Sequence, residues 1–152
     1  MVNNIFEKTV AQDVVDRINR LTLESKPLWG KMNVAQMLAH CNVTYEMVFE
    51  PEKHKKPNAF FKFILKTFVK KVVTNEVAYK QNNKTAPQFI ITDARDFEKE
   101  KSRLVEYITR TEQLGESHFD GKESHSFGVL NKNEWNNMFY KHLDHHLKQF
   151  GV

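Results

Sequence analysis

Cysteine is all but missing from this chain. Cys41 is the only one among 152 residues, which excludes an internal disulfide framework and any cysteine-rich zinc ribbon, and fits a reducing compartment. Glycine and proline are scarce as well, at five and four residues, and no internal repeat, low-complexity tract or hydrophilic linker divides the sequence. One domain over residues 1–152 is the economical reading. No apolar run approaches the ~18 residues of a membrane-spanning helix. The first residues lack a basic segment followed by an apolar one, so no secretory leader is expected and the cytoplasm is the expected location.

What is present fits a globular protein: 40% hydrophobic and 28% charged residues. At this length a folded chain buries roughly 68–70% of the surface its unfolded form exposes, so folding needs no metal or disulfide. Any metal must be argued from chemistry. The net charge of +4 conceals an asymmetry, because residues 53–71 carry seven lysines and no acid, leaving 16 basic against 19 acidic residues elsewhere. Positive charge that is local, with no nucleic-acid-binding motif around it, argues against nucleic acid as the partner.

The periodic signals are helical. Residues 3–22 place Ile5, Val10, Val14, Ile18 and Leu21 on one face. A second helix is predicted to start at Asn33, with Gln36 completing a capping box, and to stop before Pro51. A third runs over 93–114 from a Thr92 or Asp93 cap to Gly115, and the last from Asn131, with Glu134 as its capping partner, to about Phe150. Residues 58–73 read as a further helix, Phe89-Ile90-Ile91 as an extended piece covering one end, and 115–130 as a long connection of the kind that is functional or packed over an opening. The predicted class is all-α, a four-helix bundle with an additional short helix and long connections.

Three of the seven histidines lie close together near the C-terminus: His142, His145 and His146. At ~100° per residue, His142 and His146 lie about 40° apart, one turn above the other. They share a sector with Trp135, Met138, Phe139 and Gln149, so they point into the protein. Imidazoles at i and i+4 are the spacing of zinc-type sites. Leu143 stands where a metalloprotease has its glutamate, which argues against peptide hydrolysis. A third ligand is needed, and His40, at the edge of the apolar stripe of the second helix, is the best candidate. A histidine on an apolar face is also commonly a hydrogen-bonded core residue, and spacing alone leaves both readings open for His40. His145 sits on the flank, His54 is expected in solvent, His118 and His125 are read as structural, and Cys41 as apolar filling.

The run from Trp29-Gly30 through Met37-Leu38-Ala39-His40, then Phe127-Gly128, Trp135 and a His142-x-x-His145-His146-Leu147-x-Gln149 ending, resembles the DinB/YfiT-like superfamily of metal-associated helical bundles. It is most similar to an uncharacterised branch whose last helix ends in this HxxHHLxQFG pattern. The resemblance implies a divalent ion held by His40, His142 and His146. It also implies a small-molecule substrate and, as in some members, a thiol-dependent transferase or isomerase using a low-molecular-weight thiol; a metal-dependent transferase or hydrolase is the enzyme class expected. Three neutral imidazoles leave a zinc or nickel ion its double charge and an open position, at which water turns more acidic or a thiol is held as thiolate. Gln36 and Gln149, each a turn from a histidine, and His145 are candidates to orient ligands or substrate. Helix capping and a polar helix end explain the two glutamines equally well.

A rival reading rests on residues 53–73. Lys62, Lys66 and Lys70 fall in one row, with Phe61, Ile64, Leu65, Phe68 and Val72 around them. Such a helix suits peripheral contact with an anionic membrane or acidic partner in a non-catalytic interaction protein. The commoner use of the pattern buries the aromatic face and lifts the lysines into solvent. A homodimer fits a bundle of this size, although no particular residue points to one.

Overall fold

The computed structural model describes residues 2–152. They are mostly helical, with one short hairpin: α1 (Lys8–Asn19), α2 (Val34–Phe49), α3 (Ala59–Ile64), α4 (Lys70–Thr74), α5 (Phe97–Phe119), β1 (Lys122–Ser124), β2 (Gly128–Leu130) and α6 (Lys132–Gln149). A π-helical turn, Leu65–Val69, joins α3 to α4 without a break. Among the described residues no helix is long and apolar enough to cross a membrane.

Both predicted capping boxes form. The Asn33 side chain accepts from the Gln36 amide while Gln36 accepts from the Asn33 amide, and Asn131 and Glu134 do the same at α6. Each box occupies two backbone donors that would otherwise lack partners, fixing where the two histidine-bearing helices begin. Helix α1 is shorter than its apolar pattern. Asn4 takes the Phe6 amide and Asn136 takes that of Ile5, so the donors of the expected first turn are already used.

Two further boundaries move. Helix α5 begins after Asp96, whose side chain accepts from the Lys99 amide, while Asp93 pairs with Arg95 instead of capping. Gly115 leaves helical geometry at φ 70° and ψ 168°, a positive-φ conformation open to glycine but not the left-handed helix stop, and helix resumes through Phe119. The resumption seats Phe119, 0% exposed, against Phe6, Trp135 and Phe139. The long connection also holds the antiparallel hairpin, with Lys122 opposite Leu130 and Ser124 opposite Gly128. Residues Pro87–Phe89 form a 3-10 turn, and only then does the backbone extend at Ile90.

Helices α1, α2, α5 and α6 share one core, with α2 lying chiefly on α5. Tyr45, Phe119, Trp135 and Phe139 are each under 2% exposed, and Tyr45 stacks on Phe139 at 5.0 Å. Fully burying an apolar side chain of this kind stabilises by roughly 1.5–3 kcal/mol. Arg17 ties α1 to the chain end, reaching Asp144 at 3.1 Å and the Val152 carbonyl at 2.9 Å.

Segment 59–74 departs from the commoner reading of its pattern. Leu65 is buried and Val73 packs on the core, but Phe60, Phe63 and Phe68 are 73%, 64% and 68% exposed. A π turn takes in an extra residue, which keeps Leu65, Val69 and Val73 facing inward and turns the phenylalanines out. Two of the three lysines in the row meet neighbours instead of free solvent, Lys62 pairing with Glu123 of the hairpin and Lys70 with Glu134 of α6, each at 2.9 Å, while Lys66 stays exposed. Lys141 of α6 tethers the end of α4, donating to the carbonyls of Val72 at 3.0 Å and Asn75 at 2.6 Å, and to Asn75 Oδ1 at 2.8 Å.

Candidate metal centre

Helix α2 carries His40 two turns past its capping box, and α6 carries His142 and His146 one turn apart. The packing of α2 on α6 brings the three rings together. Their centroids lie 4.9 Å apart for His40 and His142, 4.5 Å for His40 and His146, and 4.8 Å for His142 and His146. One nitrogen from each ring falls within 4.8 Å of the others.

The remaining nitrogens decide what that convergence means. His40 Nδ1 lies 2.8 Å from the Phe89 carbonyl oxygen. A carbonyl only accepts, so Nδ1 carries the proton and Nε2 of the neutral ring is a lone pair. His146 Nδ1 lies 2.8 Å from Gln149 Oε1. The Gln149 amide nitrogen donates to the Trp29 carbonyl at 2.7 Å, which fixes the oxygen toward His146 and makes His146 Nε2 a lone pair too. His142 Nδ1 meets Thr44 Oγ1 at 3.0 Å, and a hydroxyl serves either tautomer. His142 Nε2, 2.9 Å from His40 Nε2, therefore donates to it here, and the other tautomer, which Thr44 also satisfies, would turn a third lone pair toward the same point. An oxygen partner behind the imidazole is the usual support of a metal-binding histidine, and each of the three rings has one.

Burial drives all three imidazoles toward the neutral form that a ligand requires. Desolvation is the main cause in each case. It holds His40 below its ordinary value against the opposing pull of the Phe89 carbonyl, places His142 far below, and takes His146 from 6.5 to about 3. Each ring would also repel a second positive charge beside it.

Of the other candidates, Gln149 holds His146 as described. Gln36 caps α2 and reaches the Asp93 carbonyl at 3.4 Å. His145 stands outside the converging set, edge-on to Trp29 at 5.9 Å and Tyr79 at 5.7 Å. Cys41 is buried on the core side, donates to Met37 Sδ and has its thiol pushed up by burial, so it stays protonated. His54 is not solvated: its Nε2 lies 2.8 Å from Glu46 Oε2, and Glu46 also pairs with Arg103. His125 reaches the carbonyl of His54 at 3.3 Å.

Three contributors escape a reading by spacing. The Phe89 carbonyl is backbone brought in by a loop and has no sequence signal. Thr44 stands one turn beyond His40, which a search for polar partners at i+4 would find. Gly30, at φ 86°, is the third: a Cβ there would lie 2.4 Å from Gln149 Nε2, so only glycine leaves room for the amide that orients His146.

The histidines form the floor of a cavity of ≈ 1130 Å³. Its walls come from Met47 and Val48 of α2, Leu65 and Val69 of the π turn, the loop around Asn82–Thr92 and the hairpin turn Ser124–Phe127. A family model described as "Protein of unknown function (DUF1569)" matches residues 6–151. No curated protein and no solved structure matches the chain.

Proposed function

The chain belongs to the DUF1569 family, and we propose that it is a divalent-metal-binding four-helix bundle of the DinB-like type that acts on a small molecule at His40, His142 and His146. The observation that carries this reading is the pair of lone pairs on His40 and His146, fixed inward by carbonyl acceptors and facing a third imidazole able to do the same. Such a set matches zinc or nickel, since imidazole suits both. When bound, the ion supplies Lewis acidity at a position open to the cavity. The chain's own residues do the rest: Phe89, Thr44 and Gln149 hold the rings in register. A thiol-dependent S-transferase, taking its thiol from a low-molecular-weight cosubstrate, is the reaction class the resemblance favours.

The test is elemental analysis of protein purified without a histidine tag. Zinc or nickel near one equivalent per chain, lost in His142→Ala and His146→Ala while the helical signal persists, is the expected result. Wild-type protein that stays folded and takes up neither ion sinks the reading. A turnover screen pairing thiols with electrophiles then separates an enzyme from a binding protein.

A second reading is favoured by the exposed aromatic surface. Phe60, Phe63 and Phe68 stand in solvent beside the exposed Lys66 and Lys71, the composition of a surface that rests on anionic lipid. Salt-sensitive binding to anionic vesicles, weakened by Phe60→Ser with Phe63→Ser and unaffected by chelators, is its signature.

A further inference from the structure

The cavity above the histidines has features that narrow its ligand. Its ≈ 1130 Å³ exceeds the ~300–1,000 Å³ common for sites of drug-sized molecules, far more room than a small polar metabolite fills. Its walls are largely apolar, with Met47, Val48, Leu65, Val69 and Phe127 among them. The fully charged side chains that line it are Lys31, Lys80 and Lys84, and no aspartate or glutamate does so. Two lining residues, Val72 and Ile90, are also 51% and 54% exposed. The apolar wall thus continues out to the surface, beside the exposed Phe68, and gives an apolar ligand an unbroken path inward.

We propose that the ligand of this cavity is a single-chain amphiphile with one anionic head, its chain along the wall made by Met47, Val48, Leu65 and Val69 and its head at the three-histidine floor. This rests on the metal reading above, because three neutral imidazoles leave a divalent ion its whole charge to attract the head. A cationic head at the floor would face the charge of the ion, with no carboxylate in the lining to pair with, and burying it there is unfavourable. A short polar anion would leave the walls unfilled. The π turn has a role in this arrangement, since it turns Leu65 and Val69 inward as a roof while the tether from Lys141 holds the end of the segment.

The experiment uses the two tryptophans, Trp29 and Trp135, which are the only two in the chain and both line the cavity. Zinc-loaded full-length protein is titrated with butanoate, octanoate, decanoate and dodecanoate, and with decyltrimethylammonium, while tryptophan emission is followed. Saturable changes are expected for the longer acids, with affinity rising about fourfold per added methylene. Decyltrimethylammonium should bind at least tenfold more weakly, and decanoate should bind at least tenfold more weakly to zinc-free protein. Val69→Glu, checked for helical content, should weaken decanoate at least tenfold; the head and chain-length comparisons stand on the wild type if that variant does not fold. Cobalt absorption in parallel reports the metal site by itself. Cobalt bound, but no saturable response to any acid, overturns the amphiphile and leaves the metal reading standing. Equal affinity for both heads also overturns it. Absent cobalt binding, with decanoate indifferent to zinc, overturns both.

Discussion

Gln149 stands between Trp29 and His146, giving its amide proton to the Trp29 carbonyl at 2.7 Å and taking the His146 Nδ1 proton on its oxygen at 2.8 Å. One side chain therefore links the segment before α2 to the orientation of an imidazole on α6. Replacing Gln149 with Met removes both bonds and leaves His146 free to turn. Zinc affinity, read by competition with a chromophoric chelator, is expected to fall roughly 10–100-fold, the usual cost of losing such a supporting partner. Unchanged affinity would mean that the ring is held by packing alone.

Gly30→Ala is expected to act on the same link from the other side. The new Cβ would lie 2.4 Å from Gln149 Nε2 on a backbone held at φ 86°. Left-handed backbone alone costs a side-chain-bearing residue roughly 1–2 kcal/mol. Denaturant unfolding should show at least that loss, with weakened zinc binding beside it; an alanine variant as stable as the wild type and equally tight for zinc would refute the close packing.

The pH dependence has a definite sign. Burial lowers the values of His40, His142 and His146 in the folded protein, His146 to about 3 from 6.5. Below about 6.5 the unfolded chain takes up protons that the folded one refuses, so the stability of metal-free protein is full above that pH and falls as the pH drops toward 3. Each such histidine contributes up to about 1.4 kcal/mol per pH unit across its window. His146→Gln should flatten the acid limb, measured by urea midpoints from pH 7 to 4, and an unaltered slope would count against a neutral buried imidazole there.

Thr44→Val tests the third ring. The hydroxyl is the partner of His142 Nδ1 at 3.0 Å, and valine is similar in shape but carries no polar atom. Leaving a buried imidazole nitrogen unpaired costs about 1–3 kcal/mol. Urea unfolding should show that loss in metal-free protein, and a change below a few tenths would assign Thr44 a packing role only.

Lys141→Met should loosen the roof and not the whole protein. The ammonium donates to Val72 and Asn75 at the end of α4, and methionine keeps much of the stem without the donors. Amide exchange over 59–74 is expected to quicken by tenfold or more while the centre of α5 keeps its protection. Uniform quickening across the chain would mean that Lys141 supports the global fold instead.

Much of this molecule obeys short-range rules and was readable from residue order. Asn33 with Gln36 and Asn131 with Glu134 announce where α2 and α6 begin, because a capping box joins residues three apart. His142 and His146 share a face because a helix turns once in 3.6 residues. The apolar stripe of α2 turns His40 inward by the same periodicity. These parts depend on neighbours within about one turn, so a linear string contains them.

What tertiary structure alone decided depends on partners far along the chain. The Phe89 carbonyl that fixes the tautomer of His40 is 49 residues away, and backbone atoms leave no mark on residue identity. Phe119 extends α5 past Gly115 because Trp135 and Phe139 offer it a buried place. The π turn sets Leu65 and Val69 inward and the phenylalanines outward, against an equally regular alternative. In each case, local preference allowed more than one conformation, and burial against distant side chains chose between them.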